Sequence, residues 1–148
     1  MCGTIVRVDF YQLSRDPAEA ALPLIARAAT KAGERMLVVS ADEAQLARIG
    51  DALWTRLPES FLAHGMAGDK DAARQPILLS TATEPANGAK FLAIADGVWR
   101  EGPFARTFYL FDEVTLQAAR DCWRMLGERE GIERKFWKQQ DGKWVEGP

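Results

Sequence analysis

The stretch MLVVSADEAQLARIGDALWT, residues 36–55, decides the fold class. Met36–Val39 is a short continuous apolar run, which is typical of a strand covered on both faces. The four residues that follow, Ser40 to Glu43, match a capping box and predict a helix over residues 42–55. A buried strand followed at once by a helix is the repeating unit of a parallel sheet with right-handed crossovers.

The same unit precedes this stretch. Residues 4–13 alternate apolar and polar side chains and are rich in β-formers, which predicts a first strand. Asp16 is a good N-cap and Pro17 suits the first position of a helix over residues 17–31, which Gly33 ends. The order is therefore β-α-β-α with short links.

Downstream, residues 57–68 are irregular and residues 69–75 are polar enough for an exposed loop. Three further strands and a long last helix then follow, at residues 76–80, 91–95, Arg106–Phe111 and 114–130.

The tail carries two β-like pieces, residues 133–138 and 143–145, around Asp141-Gly142, which predicts a hairpin in which Trp137 and Trp144 pair. No repeat or domain boundary interrupts the chain. We expect one α/β domain over residues 1–148, a Rossmann-like three-layer fold with a mostly parallel sheet flanked by helices and a C-terminal β-hairpin.

The composition limits the class of protein. The 148 residues are 47% hydrophobic and 27% charged with a net charge of −2, which is ordinary for a soluble domain and argues against a main role in gripping a nucleic-acid backbone. Cys2 and Cys122 make no metal-binding pattern and are predicted to be free thiols in a reducing compartment. Because no signal-peptide or membrane-span pattern is visible, the expected location is the cytoplasm.

Patterns for catalysis and cofactor binding are sparse. No GxGxxG or GxxxxGK[ST] loop follows a strand, so no nucleotide cofactor is expected. His64 lacks a neighbouring nucleophile pattern, and a loop-bracing hydrogen bond is its expected role. Asp9, Asp96 and Asp112 lie in or just after strands. These carboxylates could hold Mg²⁺ in a phosphotransfer or nuclease domain. The alternative is that they are structural residues at strand ends and helix caps.

The stretch AARDCWRML, residues 118–126, forms the middle of the last helix. Arg120 and Arg124 stand four residues apart on one face, with Trp123 at the border of the face that meets the core. Two stacked guanidinium groups beside a large aromatic predict a dock for an acidic ligand with an apolar end. The alternative is a solvated helix with a core-edge tryptophan. The residues predicted to face the core are Ala119, Cys122 and Leu126.

The five tryptophans add a further candidate site. Trp54 ends the second helix and precedes Arg56 and a proline-containing loop, which makes it a candidate surface anchor. Aromatics interleaved with cations also leave open a module that binds single-stranded DNA directly, although the acidic balance counts against it.

Four segments in chain order resemble the chi subunit of bacterial DNA polymerase III, an accessory protein of the clamp loader. They are FYQL at 10–13, DALWTRLPESFLAHG at 51–65, FYLFD at 108–112 and AARDCWR at 118–124. The terminal FWKQQDGKW is similar to the tail of some branches of that family. The resemblance covers nearly the whole chain, and the segment at 51–65 is its most specific part.

The resemblance implies a Rossmann-like α/β fold with no enzymatic activity of its own. Neither a cofactor nor a metal site is expected. The resemblance implies binding of the acidic C-terminal tail of single-stranded-DNA-binding protein (SSB), which ends in an apolar Pro-Phe with a free carboxylate. It also implies a link to the clamp loader through the small psi subunit, and it makes Phe61 the candidate for binding psi or an alternative partner. The residues that match the family's tail site are Trp54, Phe111, Arg120, Trp123 and Arg124.

Overall fold

The computed structural model describes residues 6–13, 17–56, 62–140 and 143–146. Within these residues, eight strands form one sheet in the order β3-β4-β2-β5-β6-β1-β7-β8. The strands are β1 Val6–Gln12, β2 Met36–Val39, β3 His64–Met66, β4 Ile77–Ser80, β5 Phe91–Ile94, β6 Arg106–Phe111, β7 Ile132–Gln140 and β8 Lys143–Glu146. The helices are α1 Ala18–Lys31, α2 Glu43–Thr55 and α3 Leu116–Gly127. The predicted fold class is confirmed.

Strands β1 to β7 pair in parallel, and β8 returns antiparallel to β7 as the predicted hairpin. The connections β1–α1–β2 and β2–α2–β3 move across the sheet in one direction, whereas β6–α3–β7 moves in the other. Because such crossovers are right-handed, helices that move in opposite directions lie on opposite faces.

The two hydrophobic clusters reflect this arrangement. Buried residues of α1 and α2 pack on one face of the sheet, against alternate strand residues such as Val38 and Leu110. Buried residues of α3 pack on the other face, against the intervening residues such as Val39 and Phe111. We refer to these as the α1/α2 face and the α3 face.

The first residues of the three helices differ from the predictions, because the N-terminal caps set where each helix begins. Asp42, not Ser40, is the N-cap of α2, because its side chain accepts a hydrogen bond from the Ala44 amide. Pro17 occupies the N-cap position of α1, one residue outside the predicted position. Helix α3 begins later than predicted, because the Asp112 carboxylate accepts from the amides of Val114 and Thr115 and holds a turn there.

The sequence analysis did not predict two short elements of secondary structure. The three residues of β3 lie in a stretch predicted to be irregular, and a 3₁₀ turn at Ala72–Arg74 lies within the predicted exposed loop. Both are too short for a detectable periodicity, and β3 exists because β4 offers it a partner.

The two hairpin tryptophans are not direct partners. The register places Trp137 opposite Glu146 and Trp144 opposite Gln139. Each indole instead contacts the ring of Tyr11, with ring centroids 6.2 and 5.0 Å apart. The pairing failed as a prediction because it depends on a register that β1 helps to set.

No helix in the described part of the chain has both the length and the apolar character needed to cross a bilayer.

Candidate binding groove beside the last helix

Four aromatic rings line a groove between α3 and the sheet, with the rings of the strands as its floor and the indole of α3 as one wall. Phe10 and Phe136 stand side by side in the β1–β7 register, and Phe111 ends the neighbouring strand β6. The indole of Trp123 on α3 meets Phe10 edge-to-face, with ring centroids 5.1 Å apart. These contacts bring residues from four separate elements into one apolar surface.

The groove has a volume of about 560 Å³, within the range of small-ligand and peptide sites. Polar side chains of Gln12 and Gln117 and the aliphatic Leu116 complete its lining, together with Arg120 and Arg124. An apolar floor beneath two cations is suited to a ligand that has an apolar end and a negative charge.

The core-facing side of α3 anchors this arrangement. The side chains of Ala119, Cys122 and Leu126 are buried, as the helical spacing predicted. Their burial against the α3 face leaves Arg120 and Arg124 exposed and Trp123 half-buried at the boundary. The predicted orientation of AARDCWRML is therefore confirmed.

The two arginines differ in their surroundings. Arg124 pairs with Asp121 at 2.6 Å, and both side chains are more than 60% exposed. An exposed pair of this kind contributes little stability, so a ligand carboxylate can replace Asp121. Arg120 makes no hydrogen bond or ion pair with any residue that the structure describes, and its guanidinium keeps its full bidentate capacity.

Two comparisons identify the family. A family model described as "DNA polymerase III chi subunit, HolC" matches residues 5–135. A DNA polymerase III subunit chi from Pseudomonas aeruginosa is 30% identical over 135 residues, which cover 84% of this chain and 92% of that protein. The chain belongs to the DNA polymerase III chi subunit family. A DNA polymerase III subunit chi from Escherichia coli K12 is 38% identical over a shorter segment of 47 residues, 32% of each chain.

Membership of the chi family supports an accessory role in DNA replication, and both relatives are named as subunits. Of the residues predicted to form one site in this chi-family protein, the structure brings four together in the groove: Phe111, Arg120, Trp123 and Arg124.

Trp54 does not join them, which corrects the prediction of a single five-residue site. Its indole is 55% exposed at the end of α2, on the α1/α2 face, and packs against the His64 ring with centroids 4.8 Å apart. His64 lies in β3, at the edge of the sheet five strand positions from β1. At about 4.8 Å between strands, that is roughly 24 Å from β1, the middle strand of the groove.

Phe61, the candidate for psi binding, lies outside the described residues. His64 braces the local chain as predicted, since its Nδ1 lies 2.9 Å from the Leu62 carbonyl oxygen.

The carboxylates considered for magnesium all have other partners. Asp9 is fully buried on the α1/α2 face between Arg7 and Arg106. Asp96 receives two hydrogen bonds from Arg100, and Asp112 caps the turn before α3. Within the described ranges, no three His, Cys, Asp or Glu side chains are close enough together to hold a metal ion.

The pKa of Asp96 reflects these contacts. Burial opposes its ionisation, but the hydrogen bonds from Arg100 and from the amides of Ala41 and Val98 prevail and hold the pKa below its usual range. The carboxylate is therefore a charged structural group at neutral pH.

The sequence analysis missed two aromatic residues of the groove and one arginine that contacts it only through Trp123. Phe10 and Phe136 were not predicted as site residues, although both were in segments that carried the family resemblance. Arg134 was also missed, and it packs against Trp123 from the sheet. A signal was available for Phe136, because FWKQQ alternates in a strand and places every second residue on one face.

Cys122 is expected to be inert in the folded protein. Burial raises the pKa of its thiol to about 12, so the reactive thiolate is scarce at pH 8. In a Cys2→Ser variant, which leaves one thiol, Ellman's reagent should react more than about a hundredfold more slowly under native conditions than in urea. Comparable rates in the two conditions would contradict the buried position of Cys122.

Proposed function

We propose that this protein binds the acidic C-terminal tail of SSB in the groove beside α3 and thereby connects SSB to the clamp loader of DNA polymerase III. The observation that carries the proposal is the combination of the Arg120 guanidinium, which has no partner among the residues that the structure describes, with an aromatic floor in the same groove. The role is non-catalytic, because binding alone performs it.

The apolar end of the tail matches the floor. A terminal phenylalanine ring can pack edge-to-face against Phe111 and Phe136, whose own centroids are 6.1 Å apart. The preceding proline adds apolar area at low entropic cost because its backbone is already restricted. The shape of the ligand therefore suits an aromatic groove.

The charges of the tail match the rim. The free carboxylate can form a bidentate pair with Arg120, and the acidic residues before it can displace Asp121 from Arg124. The ligand is thus held by aromatic packing at its apolar end and by ion pairs at its carboxylates. Together these contacts fix its orientation and add to its affinity.

A fluorescent peptide ending in Asp-Ile-Pro-Phe tests the proposal. We expect micromolar binding that weakens as salt rises, and a loss of about tenfold when the peptide C-terminus is amidated, because the amide removes the charge that Arg120 pairs with. The absence of binding at low salt would refute the proposal. Equal affinity of the acid and the amide would refute the carboxylate contact alone.

In this proposal, the partner that connects the protein to the clamp loader binds on the α1/α2 face, on the side of the sheet opposite the groove. Trp54 is an exposed aromatic on the α1/α2 face, seven residues before Phe61 in the sequence. Exposed tryptophans are frequent anchors at protein interfaces. A partner such as psi that binds at this end would leave the groove free, so both partners could bind together.

Trp54→Ala is expected to leave tail binding within about twofold of the wild-type value, because the residue lies on the other face of the sheet and near the far edge. The measurement is the same peptide titration. A tenfold loss in a folded Trp54→Ala protein would return Trp54 to the tail site.

The alternative functions have less support. A magnesium-dependent enzyme would need the carboxylates Asp9, Asp96 and Asp112 to be free to ligate, and each has protein partners. Direct binding of single-stranded DNA would need a strongly basic track beside exposed rings, whereas the net charge of the protein is −2. On the α1/α2 face the rings of Tyr11 and Trp137 pack on each other, and the neighbouring Arg7 and Arg106 are paired with Asp9.

A further inference from the structure

Arg134 reaches the groove only through another residue. It lies on β7 between Ile132 and Phe136, which pack against the α3 face, and it is absent from the groove lining. Its Nη1 donates to the Trp123 carbonyl oxygen at 2.7 Å, and its Cζ lies 4.2 Å from the centroid of the Trp123 ring. One guanidinium therefore holds both the backbone and the side chain of Trp123.

The last turn of α3 confines this guanidinium. A Cβ atom placed on Gly127 would come within 2.8 Å of Arg134 Nη1 and 2.9 Å of its Cζ. The absence of a side chain at Gly127 thus leaves room for the Arg134 guanidinium beside the last turn of α3 and over the Trp123 ring. The arrangement is a stacked one that lysine, with a compact ammonium group, cannot reproduce.

The remaining contacts of Trp123 are edge-to-face. Phe10 lies at 5.1 Å with an interplanar angle of 77°, and Phe136 at 6.3 Å with an angle of 86°. Edge contacts alone allow an indole at a surface to turn about its side-chain bonds, whereas a planar cation over the ring restricts that rotation.

We propose that Arg134 is a positioning residue for the groove: it fixes the Trp123 indole in the orientation that forms the groove wall. The inference rests on the proposed function of this groove. A wall that is already in place spares the ligand the entropic cost of ordering it. Removal of Arg134 should then weaken tail binding by about fivefold, the effect of one partly buried cation–π contact.

A double-mutant cycle tests whether Arg134 acts through Trp123. Arg134→Ala should weaken peptide binding about fivefold in the wild-type background and have no further effect in Trp123→Ala, because the group it positions is gone. Arg134→Lys should restore less than half of the lost binding free energy, although it restores the charge. Arg74→Ala, an exposed arginine near β4, is the matched control and should bind as wild type. Equal losses in both backgrounds would mean a direct charge effect and overturn the proposal.

Gly127→Ala moves Arg134 without changing any charge. Gly127 has a helical backbone, so alanine is compatible with it, but the new methyl group displaces the guanidinium. We expect a loss in peptide affinity of about threefold with an unchanged salt dependence. Wild-type affinity in this variant would show that the stacked position is irrelevant and would contradict the proposal.

A readout without ligand separates this inference from the proposed function. In protein labelled with ¹⁵N-tryptophan, the Trp123 indole signal can be assigned as the one lost in Trp123→Phe. Arg134→Ala should shift that signal, while the signals of Trp54 and Trp144, which lie on the α1/α2 face, stay in place. If the wild type fails to bind the peptide, the proposed function fails, and the indole shift alone decides the positioning role. An unshifted indole would overturn it.

Discussion

Arg120→Ala is expected to weaken binding of the SSB tail peptide by at least tenfold, which corresponds to about 1.4 kcal/mol or more. The arginine is exposed at the rim of the groove and has no described partner, so its guanidinium is available to the terminal carboxylate. Hydrogen bonds to a charged group contribute about 1.5–3 kcal/mol each, and this pair is bidentate. Fluorescence anisotropy with the labelled peptide at low and moderate salt measures the effect.

Two further variants sharpen this prediction. Arg120→Lys should lie between the wild type and the alanine variant, because it keeps the charge but loses the planar fork. Arg74→Ala removes another exposed arginine, near β4 and the distant edge of the sheet, and should bind normally. An Arg120→Ala protein that binds within twofold of the wild type would remove the carboxylate contact from the proposed function.

Asp9→Ala is expected to lower the free energy of unfolding by about 3 kcal/mol. The Asp9 side chain is fully buried, and it accepts hydrogen bonds from Arg7 and Arg106 at 3.0 and 2.7 Å. It also accepts from Trp137 Nε1 at 3.0 Å, so a single carboxylate ties β6 and β7 to β1. Its removal leaves a small cavity, and four N–H donors from three side chains lose their acceptor. The two arginines are partly exposed and recover some hydration, which keeps the cost from being larger.

Urea denaturation followed by circular dichroism measures this effect. Asp9→Asn should cost less than Asp9→Ala, because the amide oxygen still accepts one hydrogen bond, and it provides a measurable variant if alanine prevents folding. Asp71→Ala removes an exposed aspartate that makes no capping bond and should change stability by less than about 0.5 kcal/mol. A loss below 1 kcal/mol in Asp9→Ala would mean that the buried carboxylate is not a structural tie.

The role of Asp9 shows why the sequence alone could not distinguish a structural carboxylate from a metal ligand. In the sequence it is a charged residue within a strand, equally consistent with a metal ligand or a structural group. Its actual role depends on Arg106 and Trp137, which are 97 and 128 residues away along the chain. Contacts at that separation leave no periodic trace in the sequence.

Local features were predictable because their causes are local. The apolar run at Met36–Val39, the cap before α2 and the core-facing spacing in α3 each depend on neighbours within one or two turns. For the same reason the sequence placed Arg120, Trp123 and Arg124 correctly on their helix. The family resemblance then added Phe111, which the structure brings to the same groove.

Patterns among neighbouring residues were sufficient to predict every element except β3 and the 3₁₀ turn, the order of the elements and the face that α3 buries. The folded chain was needed to show that Phe10 and Phe136 form the groove floor, that the Arg134 guanidinium lies over Trp123, and that Trp54 stands apart. The physical reason is the strand order. A right-handed crossover places its helix on one face or the other according to the direction in which the chain moves across the sheet. That direction follows from the pairing of strands distant in the sequence, so α2 with Trp54 and α3 with Arg120 lie on opposite faces.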